Sequence, residues 1–313
     1  MSTVLYFDCF SGISGDMVLG ALLDAGLPLG ELTRALGSLA VSGYDVGAER
    51  VLRAGVSATK FIVREAPNAG HPAPGTADTH HHHDDEPGHS HRPGDGHRHS
   101  DKHRSLPEIF ALIDRSALSA AGRDRAKALF QRLAEAEAAI HQMPVERVHL
   151  HEVGALDSII DIVGAVFGLE WIGADRVVCS PLNVGGGMVE SAHGHFPVPA
   201  PATVKLLGSA PIYGGRVQQE LVTPTGALIV SSYAESFGPV PAMSIEKVGY
   251  GAGDRDDPST PNVLRLLIGR EADHAGDRVT VIIAGTMTVA GLVIVVMMMS
   301  VRGAGCRVPR AGC

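Results

Sequence analysis

Ten of the chain's sixteen histidines fall between His71 and His103, in a run that reads THHHHDDEPGHSHRPGDGHRHSDKH from Thr79 onward. Neutral imidazole is the commonest side-chain ligand for borderline ions such as nickel, zinc and copper. The candidate ligands are His80, His81, His82, His83, His89, His91, His97, His99 and His103. Six acidic residues share the stretch (Asp78, Asp84, Asp85, Glu86, Asp95 and Asp101) and lower the cost of holding a dication. A tract of this kind can wrap an ion without a preformed cage. The plainer alternative is a solvated linker of biased composition. Composition does not say which metal is bound, or whether it is stored or delivered.

A second group lies in HLHEVGALDSIIDIVG. His149 and His151 alternate, so on a strand they point the same way. Glu152 follows, and Asp157 and Asp161 are four apart, which places them on one helix face. His151, Asp157 and Asp161 are the candidate catalytic residues of a metal or acid/base site, with His149 as a further ligand. Asp157 has a bland explanation, the helix dipole at a first turn. Asp161 is harder to dismiss, because it sits among Ile159, Ile160, Ile162 and Val163, where a lone carboxylate is costly.

Three turns could meet a nucleotide or a cation. In FDCFSGISGD a strand end runs into a helix start, where backbone N–H groups suit an anion and Asp8 with Asp16 suit a cation. It is not a P-loop, for it lacks the lysine and the spacing. Cofactor-binding candidates are Ser11 and Ser14 in this turn, Asn183, Gly185 and Gly186 in PLNVGGG, and Thr223 and Thr225 in LVTPTGA. Ordinary turn chemistry explains any one of them equally well.

The elements that must carry these residues alternate between strand and helix. STVLYFDCF reads as a buried strand, MVLGALLDAGLP and LGELTRALGSL as helices, and YDVGAERVLRAGVSATKFIVRE as two strands joined at Arg53-Ala54-Gly55. From residue 66 to 104 no apolar period survives, and a disordered His-rich loop is expected. Ser105, Pro107 and Glu108 then open a helix. A long amphipathic helix follows, and VERVHLHEVG reads as a strand entering a turn. ALDSIIDIVGAVFGLEWIG is a mostly apolar helix and ADRVVCSPLNVGGG a strand with a glycine loop. Next come a short helix near Ala202–Leu207, a helix after LVTPTGA, and two strands at MSIEKVGYGAG and NVLRLLIG. The expected fold class is α/β: a layered N-terminal region with a disordered His-rich insertion.

Composition narrows the function. The 313 residues are 45% hydrophobic, enough for one large domain or two ordinary ones. A formal net charge of -8 and 4% aromatics argue against nucleic acid as a partner. Cys9, Cys179, Cys306 and Cys313 form no C-x-x-C pair, and the N-terminus has no basic-then-apolar leader. A reducing cytoplasm is the simplest compartment. The oligomeric state stays open, a homo-oligomer included.

In this order, LYFDCFSGISGDMVLGALLDAG, HLHEVGALDSIIDIVG, PLNVGGGMVESAHGHFPVPAPAT, ELVTPTGA and EKVGYGAGDRD resemble the nickel-insertion proteins of the lactate racemase system, the LarC family. The resemblance runs over residues 4–269 and includes the histidine tract. It implies nickel as the metal, and a pyridinium bis-thiocarboxylate mononucleotide as the partner that receives it. It also implies CTP, with magnesium or manganese, as a cofactor of the full-length form only. The CTP-binding domain of such proteins lies C-terminal to the matched region.

Residues 1–269 are therefore read as the family's N-terminal region and 270–313 as an atypical apolar tail. Residues 279–301 carry no charge, a length that suits a transmembrane helix. Their Thr and Gly content and the lack of a Trp or Tyr belt argue against a membrane partner. Met297, Met298 and Met299 fix three ATG codons. Shifted by two bases these contain GAT-GAT, Asp-Asp, an acidic motif that the resemblance implies in this neighbourhood. The tail thus reads as out of frame, with the CTP domain missing. The expected function is nickel binding and delivery for cofactor maturation. Nickel or zinc storage without catalysis, and metal-dependent hydrolysis at His149, His151 and Asp161, remain the alternatives.

Overall fold

The computed structural model describes residues 2–39, 44–65, 104–148, 156–191, 194–272, 285–288 and 291–294. Strand β1 (Thr3–Asp8) is almost wholly apolar and buried, as befits a strand covered on both faces. Helices α1 (Gly15–Asp24) and α2 (Leu29–Gly37) follow. The hairpin of β2 (Tyr44–Arg53) and β3 (Val56–Glu65) turns at Ala54 and Gly55 with φ of 47° and 81°, the positive values that a two-residue hairpin turn requires.

Helix α3 (Leu106–Arg115) begins at the capping box read from the sequence. The backbone N–H and hydroxyl of Ser105 donate to Glu108 Oε2 at 2.7 and 2.8 Å. Helix α4 (Ala120–His141) is capped by Ser119, which accepts from Gly122 N. Residues expected to start a strand instead form a 3-10 turn, Val145–Arg147. Val145 and Val148, the apolar pair there, are three apart, which fits the 3-10 period and not the strand period of two. The rest of that expected strand, with His149 and His151, lies outside the described residues.

Helix α5 (Leu156–Ile172) is buried along most of its length. Then come β4 (Arg176–Cys179), β5 (Leu182–Asn183), β6 (Met188–Ser191), β7 (Gly194–Pro197), α6 (Pro201–Leu207), β8 (Ile212–Tyr213) and α7 (Pro224–Tyr233). The order continues with β9 (Ser236–Phe237), β10 (Met243–Ala252), β11 (Val263–Glu271), β12 (Gly285–Thr288) and β13 (Gly291–Ile294).

Seven strands form one sheet in the order β2-β3-β10-β11-β1-β4-β9. β1 pairs parallel with β4, and β4 with β9, whereas β11 lies antiparallel beside both β1 and β10. The α/β expectation therefore holds as a large mixed sheet with seven helices among the described residues. The tract's thirty-odd residues and its candidate ligands His80 to His103 lie outside those residues. So does most of the apolar tail. Among the described residues β12 and β13 pair only with each other, and no helix is long and apolar enough to cross a membrane.

One apolar core joins the layers. Leu5 and Phe7 of β1 meet Leu19 and Leu22 of α1, Ile159, Ile162 and Val166 of α5, and Phe130 of α4. Each fully buried side chain of this size contributes roughly 1.5–3 kcal/mol. Helix α1 is pressed onto β10, where a Cβ placed on Gly251 would stand 1.8 Å from the carbonyl oxygen of Met17. Only glycine permits that approach, and it fixes where the start of α1 can sit. Cys9 and Cys179 are buried, free and neighbours, with sulfurs 3.7 Å apart.

Candidate functional site

The loop from β1 to α1 is tied down by backbone bonds. Ile13 N–H donates to Leu221 O (2.8 Å) and Thr223 N–H donates to Ile13 O (3.1 Å). The N-termini of α1 and α7 therefore stand side by side. Thr223 caps α7 by accepting from Gly226 N–H at 3.2 Å. Ser14, at the equivalent place on α1, makes no cap and donates instead to Asp16 Oδ1.

Around the start of α1 a cleft of about 290 Å³ opens, lined by Asp16, Lys60, Phe61, Asp157, Asp161 and Asp254 among others. Asp157 and Asp161 come from the first two turns of α5 and share the face that the spacing predicts. Lys60, on β3, reaches in with Nζ 2.8 Å from Asp16 Oδ2 and 2.7 Å from Asp254 Oδ1. A second cleft of about 270 Å³ shares Asp16 and Asp254 and adds Ser14, Glu220, Thr223, Arg255 and Asn262.

Asp161 is the electrostatic centre. It packs against the backbone of Gly15, where an added Cβ would meet its Oδ2 at 2.2 Å. Part of its surface stays open to the cleft, yet burial is the main cause that pushes its carboxyl well above the ordinary carboxylate range. The charges of Asp16 and Asp157 push the same way, and Lys60 opposes them. For Lys60 burial disfavours the charge, but the charge and hydrogen bonds of Asp16 and Asp254 outweigh it and raise the amine's pKa. Four carboxyl groups thus face one ammonium, an arrangement that favours a cation.

Other expected residues lie elsewhere. Asp8 pairs in register with Arg265 on β11, whose Nε donates to Asp8 Oδ2 at 2.9 Å, and it does not line this cleft. Alternation along β1 sets that position: an acid there meets the residue directly across on the neighbouring strand. Asn183 holds the glycine loop, donating to Phe10 O (2.9 Å) and accepting from Gly185 N–H (3.1 Å). Gly185 and Gly186 contact the 218–220 segment, and Thr225 is buried. Of the nucleotide candidates, Ser14 and Thr223 line the second cleft. Ser11 is buried with its hydroxyl unpartnered among the described residues.

No three His, Cys, Asp or Glu side chains among the described residues converge as ready metal ligands. His149, His151 and Glu152 fall outside those residues, immediately before α5. Sequence reasoning missed Lys60, which reads as an ordinary outward residue of a strand. It also missed Asp254, Arg255 and Asn262 as site residues. Asp254 and Arg255 lie in the quoted EKVGYGAGDRD, so a signal for them existed.

Comparison with known proteins gives one family. Residues 5–305 match the family described as nickel insertion protein, a match that continues past Gly269. A pyridinium-3,5-bisthiocarboxylic acid mononucleotide nickel insertion protein of Geobacillus kaustophilus is 45% identical over 270 residues, covering 86% of this chain and 60% of its own length. The protein of the same description from Desulfitobacterium hafniense is 45% identical over 269 residues, covering 86% of this chain and 59% of its own. The chain thus spans about 60% of the length of the curated relatives it matches. No solved structure matches.

Proposed function

This chain belongs to the nickel insertion protein family, and we propose that it binds nickel and delivers it for insertion into a pyridinium bis-thiocarboxylate mononucleotide. The observation that carries the reading is the cleft of Asp16, Asp157 and Asp161 at the start of α5, directly after the segment that holds His149 and His151. Oxygen and imidazole donors together suit nickel, a borderline ion. The printed descriptions of the two relatives supply the acceptor.

In this reading the tract gathers nickel, and the fixed cleft takes it by ligand exchange. Burial and the charges of Asp16 and Asp157 raise the carboxyl of Asp161, so a dication bound beside it favours the ionised form. Capture needs neutral imidazoles and weakens as they protonate in acid. CTP, with magnesium or manganese, belongs to the form that continues into the family's CTP-binding domain, and the whole process is placed in the cytoplasm. Fixed-site chemistry distinguishes delivery from storage, which needs only the tract.

The test is nickel incorporation by the form carrying that further domain, supplied with nickel, CTP, manganese and the mononucleotide, and read by the mass of the nickel adduct. Asp161→Asn should lower incorporation at least about tenfold while the protein stays folded. Unchanged incorporation would remove the cleft from the reaction, and a chain that loads several ions but never transfers one would be a store.

A further inference from the structure

We infer that Cys9 and Cys179 form a redox-sensitive staple: two thiols in the reduced chain, and one internal disulfide joining the ends of β1 and β4 when the chain folds in an oxidising medium. The inference is independent of where nickel binds.

The fold sets the two sulfurs side by side. β1 and β4 run parallel, with Phe7 beside Cys179. Cys9 lies two residues past Phe7, so both project into the same core. Its sulfur stands 3.7 Å from that of Cys179, one thiol donating to the other. Backbone bonds fix both ends. Cys9 N–H donates to Ser180 Oγ (2.9 Å) and Ser180 N–H to Phe7 O (2.8 Å). Gly12 and Asn183 N–H groups both donate to Cys9 O (3.0 and 3.3 Å). The S–S bond of about 2.05 Å is then reached by a small shift shared between two side chains.

The two cysteines are 170 residues apart in sequence. In the unfolded chain their sulfurs rarely meet, and closing so long a loop has a large entropic cost. The fold has already met that cost. Linkage makes the effect reciprocal: the factor by which the fold favours the disulfide is the factor by which the disulfide favours the fold.

The oxidant is a low-molecular-weight disulfide, RSSR. One cysteine, as thiolate, attacks it, forms a mixed disulfide and releases RSH. The other cysteine attacks the protein sulfur of that mixed disulfide and releases the second RSH. Each cysteine gives up one proton and one electron, and RSSR leaves as two RSH. Both side chains are 0% exposed. The hydrogen bond with Cys179, together with burial, holds the Cys9 thiol well above the ordinary thiol range. Burial slows the exchange in the folded chain without altering which form is favoured. The disulfide therefore forms as the chain folds, before the core closes over the sulfurs. It ties the root of the turn carrying Ser11 and Ser14 to the root of the loop carrying Asn183 and Gly185.

The test uses the full chain with Cys306→Ser and Cys313→Ser, so that only this pair reacts. The protein is unfolded in urea and refolded in mixtures of reduced and oxidised glutathione, while parallel samples stay in urea. Both are quenched in acid and weighed by mass spectrometry. The refolded protein should lose the mass of two hydrogens and carry no glutathione. Its disulfide-to-dithiol ratio should exceed that in urea by about thirtyfold or more, the low end of a native disulfide's effect expressed as a ratio. The oxidised form should melt higher, and its Gly12 and Asn183 amides should exchange more slowly. In Cys179→Ala the glutathione mixture should leave the melting temperature unchanged. If that variant does not fold, Cys9→Ser serves as the same control. Equal ratios in folded and unfolded chains overturn the inference. So do glutathione adducts on both cysteines of the refolded protein, or a disulfide form that melts below the dithiol form.

Discussion

Gly15→Ala is the sharpest test of how tightly the site is built. At the first position of an exposed helix alanine is normally favoured over glycine, by about 1 kcal/mol in helix interiors. Here the new Cβ would lie 2.2 Å from Asp161 Oδ2, 2.4 Å from Cγ and 2.5 Å from Cβ, whereas ordinary contact begins at 3.4 Å. Turning the carboxylate away leaves the Cβ contact unrelieved, so α1 and α5 must part by about 1 Å, the difference between the last two distances. Helix α1 has little room to retreat, because Gly251 of β10 already touches its backbone from behind. Overpacking of this kind costs about 1–3 kcal/mol and exceeds the helix gain. In a domain of this size that lowers the melting temperature by roughly 2–4 °C per kcal/mol. Thermal unfolding by circular dichroism reads the shift, and nickel affinity should fall with it because Asp161 is displaced. In an Asp161→Gly background the same alanine should be harmless. A Gly15→Ala protein as stable as the parent would refute the α1–α5 contact and with it the crowding that raises the Asp161 pKa.

Asp161→Asn should change stability in a pH-dependent way. The folded carboxyl titrates above the unfolded value of about 3.9, so the folded chain keeps a proton that the unfolded chain has lost. Asp161's contribution is therefore full in acid and is lost as pH rises through its raised value. The melting temperature of Asp161→Asn should accordingly gain on the parent from pH 4 toward pH 7, and a gap that does not vary with pH would make the residue's surroundings ordinary. Deleting residues 72–103 should remove most bound nickel and leave the melting curve in place, since a polar loop adds little to a core. Calorimetric titration giving equal nickel stoichiometry in both proteins would deny the tract its collecting role.

Much of this was legible locally. The capping box at Ser105 and Glu108, the hairpin turn at Ala54 and Gly55, and the helix carrying Asp157 and Asp161 all depend on near neighbours in sequence, and they appear where the pattern placed them. Asp161 announced itself as an acid amid isoleucines, and burial is the main cause that raises its carboxyl. What could not be read was long-range. Nothing in NVLRLLIG tells that β11 inserts antiparallel between β10 and β1, because alternation fixes faces and not neighbours. That insertion gives Asp8 the partner Arg265 and removes it from the cleft. Lys60 sits on a strand with an outward polar pattern, and only the packing of α1 against β3 and β10 turns its outward direction into a cleft wall. The strands β5, β8 and β9, two residues each, are too short to leave a period.

The central claim is that nickel rests at the start of α1 and α5, on carboxylates and imidazoles together. The direct measurement is the nickel K-edge X-ray absorption spectrum of the chain with the tract histidines of residues 71–103 replaced and an equimolar amount of nickel added. The account predicts a mixed oxygen and nitrogen shell containing imidazole from His149 and His151, lost when Asp16→Asn and Asp161→Asn are combined in a folded protein. A spectrum of hydrated nickel, or a protein-bound spectrum that the double substitution leaves unchanged, would contradict it.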